Sequence, residues 1–198
     1  MKSIKLLLMA GLLCACCWNA SAQAWKDILS GVAKSVVGDK LTNEKSIVGT
    51  WAYASPDCQF ESDNMLAKAG GEAASAKIEE QLAKLYEKLG MDEVSYVFNE
   101  DSTYSSTMKG VTTKGAYAFD SEAKTITMKT RLGLSMTAHV VVTGDAMSIL
   151  FEADKLLSGL QAVTNLASKV NSNASLIGNL AGSYDGMRLG FELKKQQE

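Results

Sequence analysis

Read as a pattern of apolar and polar positions, the chain changes period several times, and each change marks an element. Trp25, Ile28, Leu29, Val32 and Val36 recur three and four apart, which predicts an amphipathic helix over 25–37 that stops at Gly38. The period then drops to two. Ile47, Gly49, Trp51 and Tyr53 alternate with Val48, Thr50 and Ala52, so 46–54 predicts a strand. Pro56 is expected to end or kink it, with a short strand near 59–61. A helical period returns over 72–89, with Ile78, Leu82, Leu85 and Leu89 on one narrow stripe. Glu80 is placed to pair with Lys84 there, and Gly90 supplies the stop.

From 93 to 152 the period of two dominates. Strands are predicted over 94–98, 103–109, 113–119, 124–130, 135–143 and 146–151, separated by turn-forming residues such as Asn99, Asp101, Gly110, Gly133 and Gly144. Connections this tight join antiparallel neighbours, so the strands form a meander. One face of each later strand is apolar: Ile126 and Met128, then Met136, Ala138, Val140 and Val142, then Met147, Ile149 and Phe151. Such strands need a covering layer or closure on themselves. A wide apolar helical face (Leu156, Leu157, Leu160, Val163, Leu166, Val170) predicts a helix over 153–170, and a shorter one follows over 174–180. Finally Met187, Leu189, Phe191 and Leu193 alternate with Arg188, Gly190 and Glu192, a last strand that must return to the sheet. The fold class is mainly β: an antiparallel β-barrel or half-barrel of about eight to nine strands. An N-terminal helix over 23–44 precedes it, and helical inserts fall at 64–90 and 153–182.

Residues 1–22 have a different character. Lys2 and Lys5 precede an apolar run over 6–13, and Ala20-Ser21-Ala22 offers the small-x-small pattern of signal-peptide cleavage. The run is too short to cross a bilayer. Export is therefore expected, to the periplasm or in association with the outer membrane. Cys14, Cys16 and Cys17 would leave with the leader, so Cys58 remains alone and makes no internal disulfide. Leu13-Cys14-Ala15-Cys16 loosely matches a lipobox, and membrane association would follow only from lipidation at Cys16. Cleavage after Ala22 is the favoured reading.

Charge narrows the partners. The formal net charge is −2, there is no Lys/Arg block, and Arg131 and Arg188 are the sole arginines. That argues against nucleic acid, and against anionic lipid as the main partner. Catalytic chemistry has no visible seat. His139 is the single histidine, with no Gly-x-Ser-x-Gly elbow or Gly-rich phosphate loop elsewhere. Cys58 and one histidine cannot build a zinc site. Asn99, Asp101 and Thr103 lack the turn glycine and closing glutamate of a calcium loop. No catalytic residue, metal or cofactor is expected. The methionines are more suggestive: Met108, Met128, Met136, Met147 and Met187 all fall on predicted strands, most on the apolar face. Met suits pockets for irregular apolar ligands, and it equally suits plain core filling.

Gly49-Thr50-Trp51 on a first strand resembles the Gly-x-Trp opening of lipocalin-like domains. The segments from Phe98 to Tyr104, Asp154 to Leu157 and Tyr184 to Phe191 extend the likeness over most of 25–194. Together they resemble a lipocalin-like family of secreted proteins, a domain of unknown function of Gram-negative gut bacteria. The resemblance implies a fold and hands over no established activity. It implies that Trp51 closes one barrel end beside Gly49 and that an arginine near the last strand packs across it. Arg188 is the candidate for that cation–π contact, although the alternation puts it opposite the Met187/Leu189 face; Arg131 is the other choice. On this reading Trp51, Phe98, Tyr117, Met128, Met136, Met147 and Phe151 line a site for a small apolar or lipid-like ligand. The expected function is a non-enzymatic envelope protein binding such a ligand. The alternative is an interaction or structural module whose barrel is sealed by its own side chains and helices.

Overall fold

A computed structural model describes residues 41–61, 72–156, 158 and 186–197. The expected leader, the helices expected over 25–37 and 174–180, and most of that over 153–170 lie outside the described residues. Eight strands run β1 (Gly49–Phe60), β2 (Ser95–Phe98), β3 (Thr103–Met108), β4 (Val111–Asp120), β5 (Thr125–Thr130), β6 (Ser135–Thr143), β7 (Ala146–Glu152) and β8 (Met187–Lys195). Each pairs antiparallel with its neighbour in chain order, and β8 returns to β1 to close a barrel. Turns of two residues (109–110 and 144–145) or four join the meander. Lys109 and Gly110 both take positive φ, the type I′ pattern whose twist matches a hairpin.

Pairing fixes which side chains face inward, because residues opposite one another in a ladder share a face. Trp51, Tyr96, Phe98, Tyr104, Tyr117, Met128, Ala138, Val140, Ile149, Phe151, Leu189, Phe191 and Leu193 all fall on the inner face, and all are buried. β1 is one strand of 12 residues, not the two expected. A bulge between Tyr53 and Ser55 inserts Ala54, so the inward set passes from Trp51 and Tyr53 to Pro56, Cys58 and Phe60. Pro56 is tolerated because β1 pairs with β2 only over Gly49–Ala52. Beyond that point β1 has β8 on one side and an open edge on the other, where a missing N–H breaks no ladder.

The barrel end holding Gly49 is closed. Where a strand was expected at Ser46, a short helix α1 (Glu44–Ile47) forms instead, started by a capping box between Asn43 and Ser46. The Trp51 indole donates to the Ile47 carbonyl at 2.8 Å. Thr42 seals the other side: its hydroxyl accepts from the Val142 N–H at 2.7 Å, and its carbonyl accepts from Lys124 at 2.9 Å. Lys195 Nζ lies 5.3 Å from the Trp51 ring centroid, in the place foreseen for Arg188. Gly49 makes room for it. It has φ +134, and a Cβ there would come within 2.8 Å of Lys195 Cε.

Helix α2 (Glu72–Leu89) fills the wedge left where β1 parts from β2. Glu79 accepts the free-edge N–H of Cys58 at 3.3 Å. Ile78, Leu82, Leu85 and Tyr86 are buried in the barrel core, whereas Lys77, Glu80, Lys84 and Glu87 remain exposed. Tyr86 reaches furthest: its ring centroid is 4.9 Å from that of Phe191, and its hydroxyl donates to the Gly190 carbonyl at 3.3 Å. Burial, with Glu79 and Asp57 nearby, pushes the Cys58 thiol well above its usual range.

Arg188 faces outward, as the alternation requires, and makes no contact with Trp51. Its guanidinium meets Glu61 at 2.6 Å and Glu152 at 3.3 Å, and Glu152 also meets His139 at 3.4 Å. Burial and the Arg188 charge outweigh the carboxylates and hold His139 below its ordinary 6.5.

Three outcomes test this description. Leu82→Ala is expected to lower unfolding free energy by about 3 kcal/mol, and Lys84→Ala on the solvent side of α2 by less than about 0.5 kcal/mol, by urea denaturation. Cys58 is expected to react with a thiol reagent at neutral pH only as fast as the protein opens. The folded state resists protonating His139, so stability should fall as pH drops from about 7 to about 5. His139→Gln should flatten that part of the profile.

Candidate functional site

The two ends of the barrel differ. At the closed end the inner side chains are sealed beneath α1 and Thr42. At the other end, where the β3–β4 and β5–β6 hairpins turn, inward-facing residues emerge into solvent. Met108, Val111 and Met136 belong to the inner face by pairing, yet they are 37%, 69% and 47% exposed. This end is the mouth.

An aromatic wall leads inward from it. Tyr96 and Phe98 on β2 stack with ring centroids 5.8 Å apart; Phe98 stacks on Tyr104 at 6.2 Å and meets Tyr117 edge-on at 5.2 Å. The ladder carries the surface on through Tyr117, Met128 and Met136, which lie opposite one another across β4, β5 and β6. Gly115 keeps this wall thin. Its place on the inner face lies beneath Tyr104, where a Cβ would sit 2.8 Å from the ring and 2.1 Å from the Lys129 carbonyl oxygen. Between this wall and the outermost pair Met108/Val111 the same face carries Ser106, Thr113 and Thr130, a band of hydroxyls.

The wall is uncharged at neutral pH. Burial raises the Tyr96 phenol to about 12, partly offset by its hydrogen bond with Ser106, and raises Tyr104 and Tyr117 as well. Tyr117 donates to the Asn99 carbonyl at 2.8 Å, which anchors its ring. Such a surface suits an apolar or amphipathic molecule and offers no charge to a small ion.

The expected lining residues divide into three groups. Phe98, Tyr117, Met128 and Met136 come together as this wall. Met147 and Phe151 face inward from β7, packed against Leu193 and Leu189 of β8. Trp51 is fully buried at the closed end and belongs to the seal. Sequence reasoning passed over Tyr96 and Tyr104, although each holds an alternating position beside a residue that was singled out. Tyr86 was passed over too, although it stands four residues after Leu82 and three before Leu89, on the edge of the Ile78/Leu82/Leu85/Leu89 stripe.

His139 is on the outer wall in the Glu152–Arg188–Glu61 cluster. Among the described residues no three His, Cys, Asp or Glu side chains are placed to hold a metal, and no helix is long and apolar enough to cross a membrane.

Two solved structures are distantly similar to the chain. A DUF4847 family protein from Bacteroides vulgatus is 11% identical, with 75% of this chain and 94% of that chain covered and a TM-score of 0.36. A protein from Bacteroides uniformis, solved by NMR, is 16% identical, with 77% and 91% covered and a TM-score of 0.35. Likeness this loose carries nothing about function. No curated protein matches the chain. The family described as "Lipocalin-like domain (DUF4923)" matches residues 22–195, nearly the whole sequence beyond the expected leader, and the barrel built from those residues has the closed eight-stranded form the name implies; the chain belongs to that family.

Proposed function

We propose that this protein is an exported, non-enzymatic cell-envelope protein that takes a small apolar or amphipathic molecule through the mouth and holds it against the aromatic wall. One observation carries the reading: the inner face runs without a break from buried Phe98, Tyr117 and Met128 to exposed Met108, Val111 and Met136. A barrel of this strand number leaves room for side chains or for one small ligand. Here β2 to β6 supply the wall, and the opposite side is filled by β7, β8 and α2. The tyrosine hydroxyls and the Ser106/Thr113/Thr130 band suit the polar end of an amphiphile. Export rests on the leader, with lipidation at Cys16 as the route to membrane association.

A second reading has its own observation. α2 delivers Ile78, Leu82, Leu85 and Tyr86 into the core, and a barrel stoppered so well could serve as an interaction module with no cargo. Native mass spectrometry of the protein purified from its own envelope fraction separates the two. A carrier is expected to show a discrete adduct, recovered as lipid on extraction and lost when Met136 and Val111 are both changed to Trp at the mouth. A single apo mass, together with no uptake of an apolar dye, would leave the sealed module.

A further inference from the structure

Six large apolar side chains are exposed among the described residues, and five of them crowd the tips of two adjacent hairpins. Met108 and Val111 flank the β3–β4 turn. Leu132, Leu134 and Met136 form the β5–β6 turn and its exit, with Leu132 90% and Leu134 65% exposed. The hairpins are neighbours through β4 and β5: Gly115 lies opposite Thr130, and the Arg131 N–H donates to the Lys114 carbonyl at 3.2 Å. The apolar tips therefore form one surface rather than scattered residues, and such surfaces mark contact sites.

Charge is sorted around them. Residues 102–119 and 123–144 contain no Asp or Glu, and they bring Lys109, Lys114, Lys129 and Arg131 to the mouth end of these hairpins. No ion pair engages those four among the described residues. The turns at the closed end are the reverse, carrying Glu100, Asp101, Asp120, Glu122 and Asp145. At the mouth end, Glu61 and Glu152 belong to the other wall and are held by Arg188, and Asp92 and Glu93 precede β2. The mildly acidic whole thus carries two cationic, apolar-tipped hairpins. The sequence gives no block of basic residues because the four are spread from 109 to 131, and the hairpin pairing gathers them.

From this we infer that the β3–β4 and β5–β6 tips dock on an anionic phospholipid bilayer, with Val111, Leu132 and Leu134 entering the interface and the four cations meeting headgroup phosphates. A leucine exposed at a turn contributes nothing to the barrel core, and cations ringing an apolar tip are complementary to an anionic interface. This inference is independent of a cargo in the barrel, since it needs only the outer tips.

Flotation of the purified full chain with vesicles tests it. Binding is expected to phosphatidylcholine vesicles containing phosphatidylglycerol, weak with phosphatidylcholine alone, and falling as salt rises. Lys114→Gln, Lys129→Gln and Arg131→Gln should each weaken binding about fivefold. The double change Leu132→Ser/Leu134→Ser should weaken it at least about tenfold. Leu41→Ser, which removes the remaining exposed apolar residue at the closed end, should change nothing. A Leu132→Trp probe should shift to the blue on binding and be quenched by brominated lipid. Because all these side chains are exposed, circular dichroism should show every variant folded. Equal binding to neutral and anionic vesicles, or no binding, would overturn the inference. Concentration-dependent dimerisation abolished by the same double change, without vesicle binding, would overturn it in favour of protein contact. The envelope adduct should persist in Leu132→Ser/Leu134→Ser, so loss of vesicle binding and loss of cargo are read separately.

Discussion

Everything in this barrel depends on one constraint: around a closed ring of paired strands, the inward and outward faces must agree at every ladder. The apolar set of β8 is Met187, Leu189, Phe191 and Leu193, and pairing hands that parity to β1 on one side and β7 on the other. β1 meets the demand with a dislocation. Without the extra residue at Ala54, the positions that face inward beside Trp51 and Tyr53 would be followed by Ser55, Asp57 and Gln59, and the core would receive a carboxylate. The bulge turns Asp57 outward and Cys58 inward. A one-residue slip flips a whole strand, so the bulge is the condition for closure.

The same strand explains why the barrel is lopsided. β1 spends its first residues on β2 and the remainder on β8, and the edge it leaves open is covered by α2 through Glu79 and the Tyr86 side chain. Burial is accordingly deepest where β1, β7, β8 and α2 converge. Tyr86, Phe191, Leu193, Ile149 and Met147 are all 2% exposed or less. The opposite wall has strands of unequal length and a glycine at 115, so its inner side chains run out of neighbours before its strands end. The mouth is the consequence of a sheet stiffened on one side only. The aromatic wall and the deep core come from the same pattern of alternation, and the covering layer decides which positions become which.

Alternation made most of the strands legible, because residues with one apolar face and tight turns leave little choice of pairing. It failed at β1, where the parity changes in mid-strand and Pro56 reads as a stop; only the open edge makes proline acceptable there. It failed again at the closed end. Gly49 and Trp51 pointed to the right contact, but family likeness suggested an arginine, and Arg188 sits on the wrong face by one residue. Lys195, at the end of β8, has the right parity and reaches Trp51 across Gly49. The aromatic wall was half visible: Phe98, Tyr117, Met128 and Met136 follow from alternation, whereas the company of Tyr96 and Tyr104 depends on which strand lies beside which. The stripe of α2 was read correctly as a covering face. That its Tyr86 enters the barrel was not, since spacing along a helix says nothing of how close its backbone approaches a sheet.

The two ends of the barrel also differ in a way that folding alone does not require. Turns need residues that accept positive φ or cap a bend, and the closed end meets that need with Asn99, Asp101, Asp120 and Gly144, all polar or small and well hydrated. At the mouth, glycine again serves at 110 and 133, so the geometry is provided for before Val111, Leu132 and Leu134 are considered. Those three side chains stabilise no turn, enter no core and cost solubility. A barrel selected for stability alone would carry Ser, Thr or Lys at such positions, as it does at the exposed Thr112 and Thr137 of the outer face. Their presence beside a group of cations that makes no ion pair among the described residues is therefore a feature that packing does not account for, and it lies at the end where the inner wall opens.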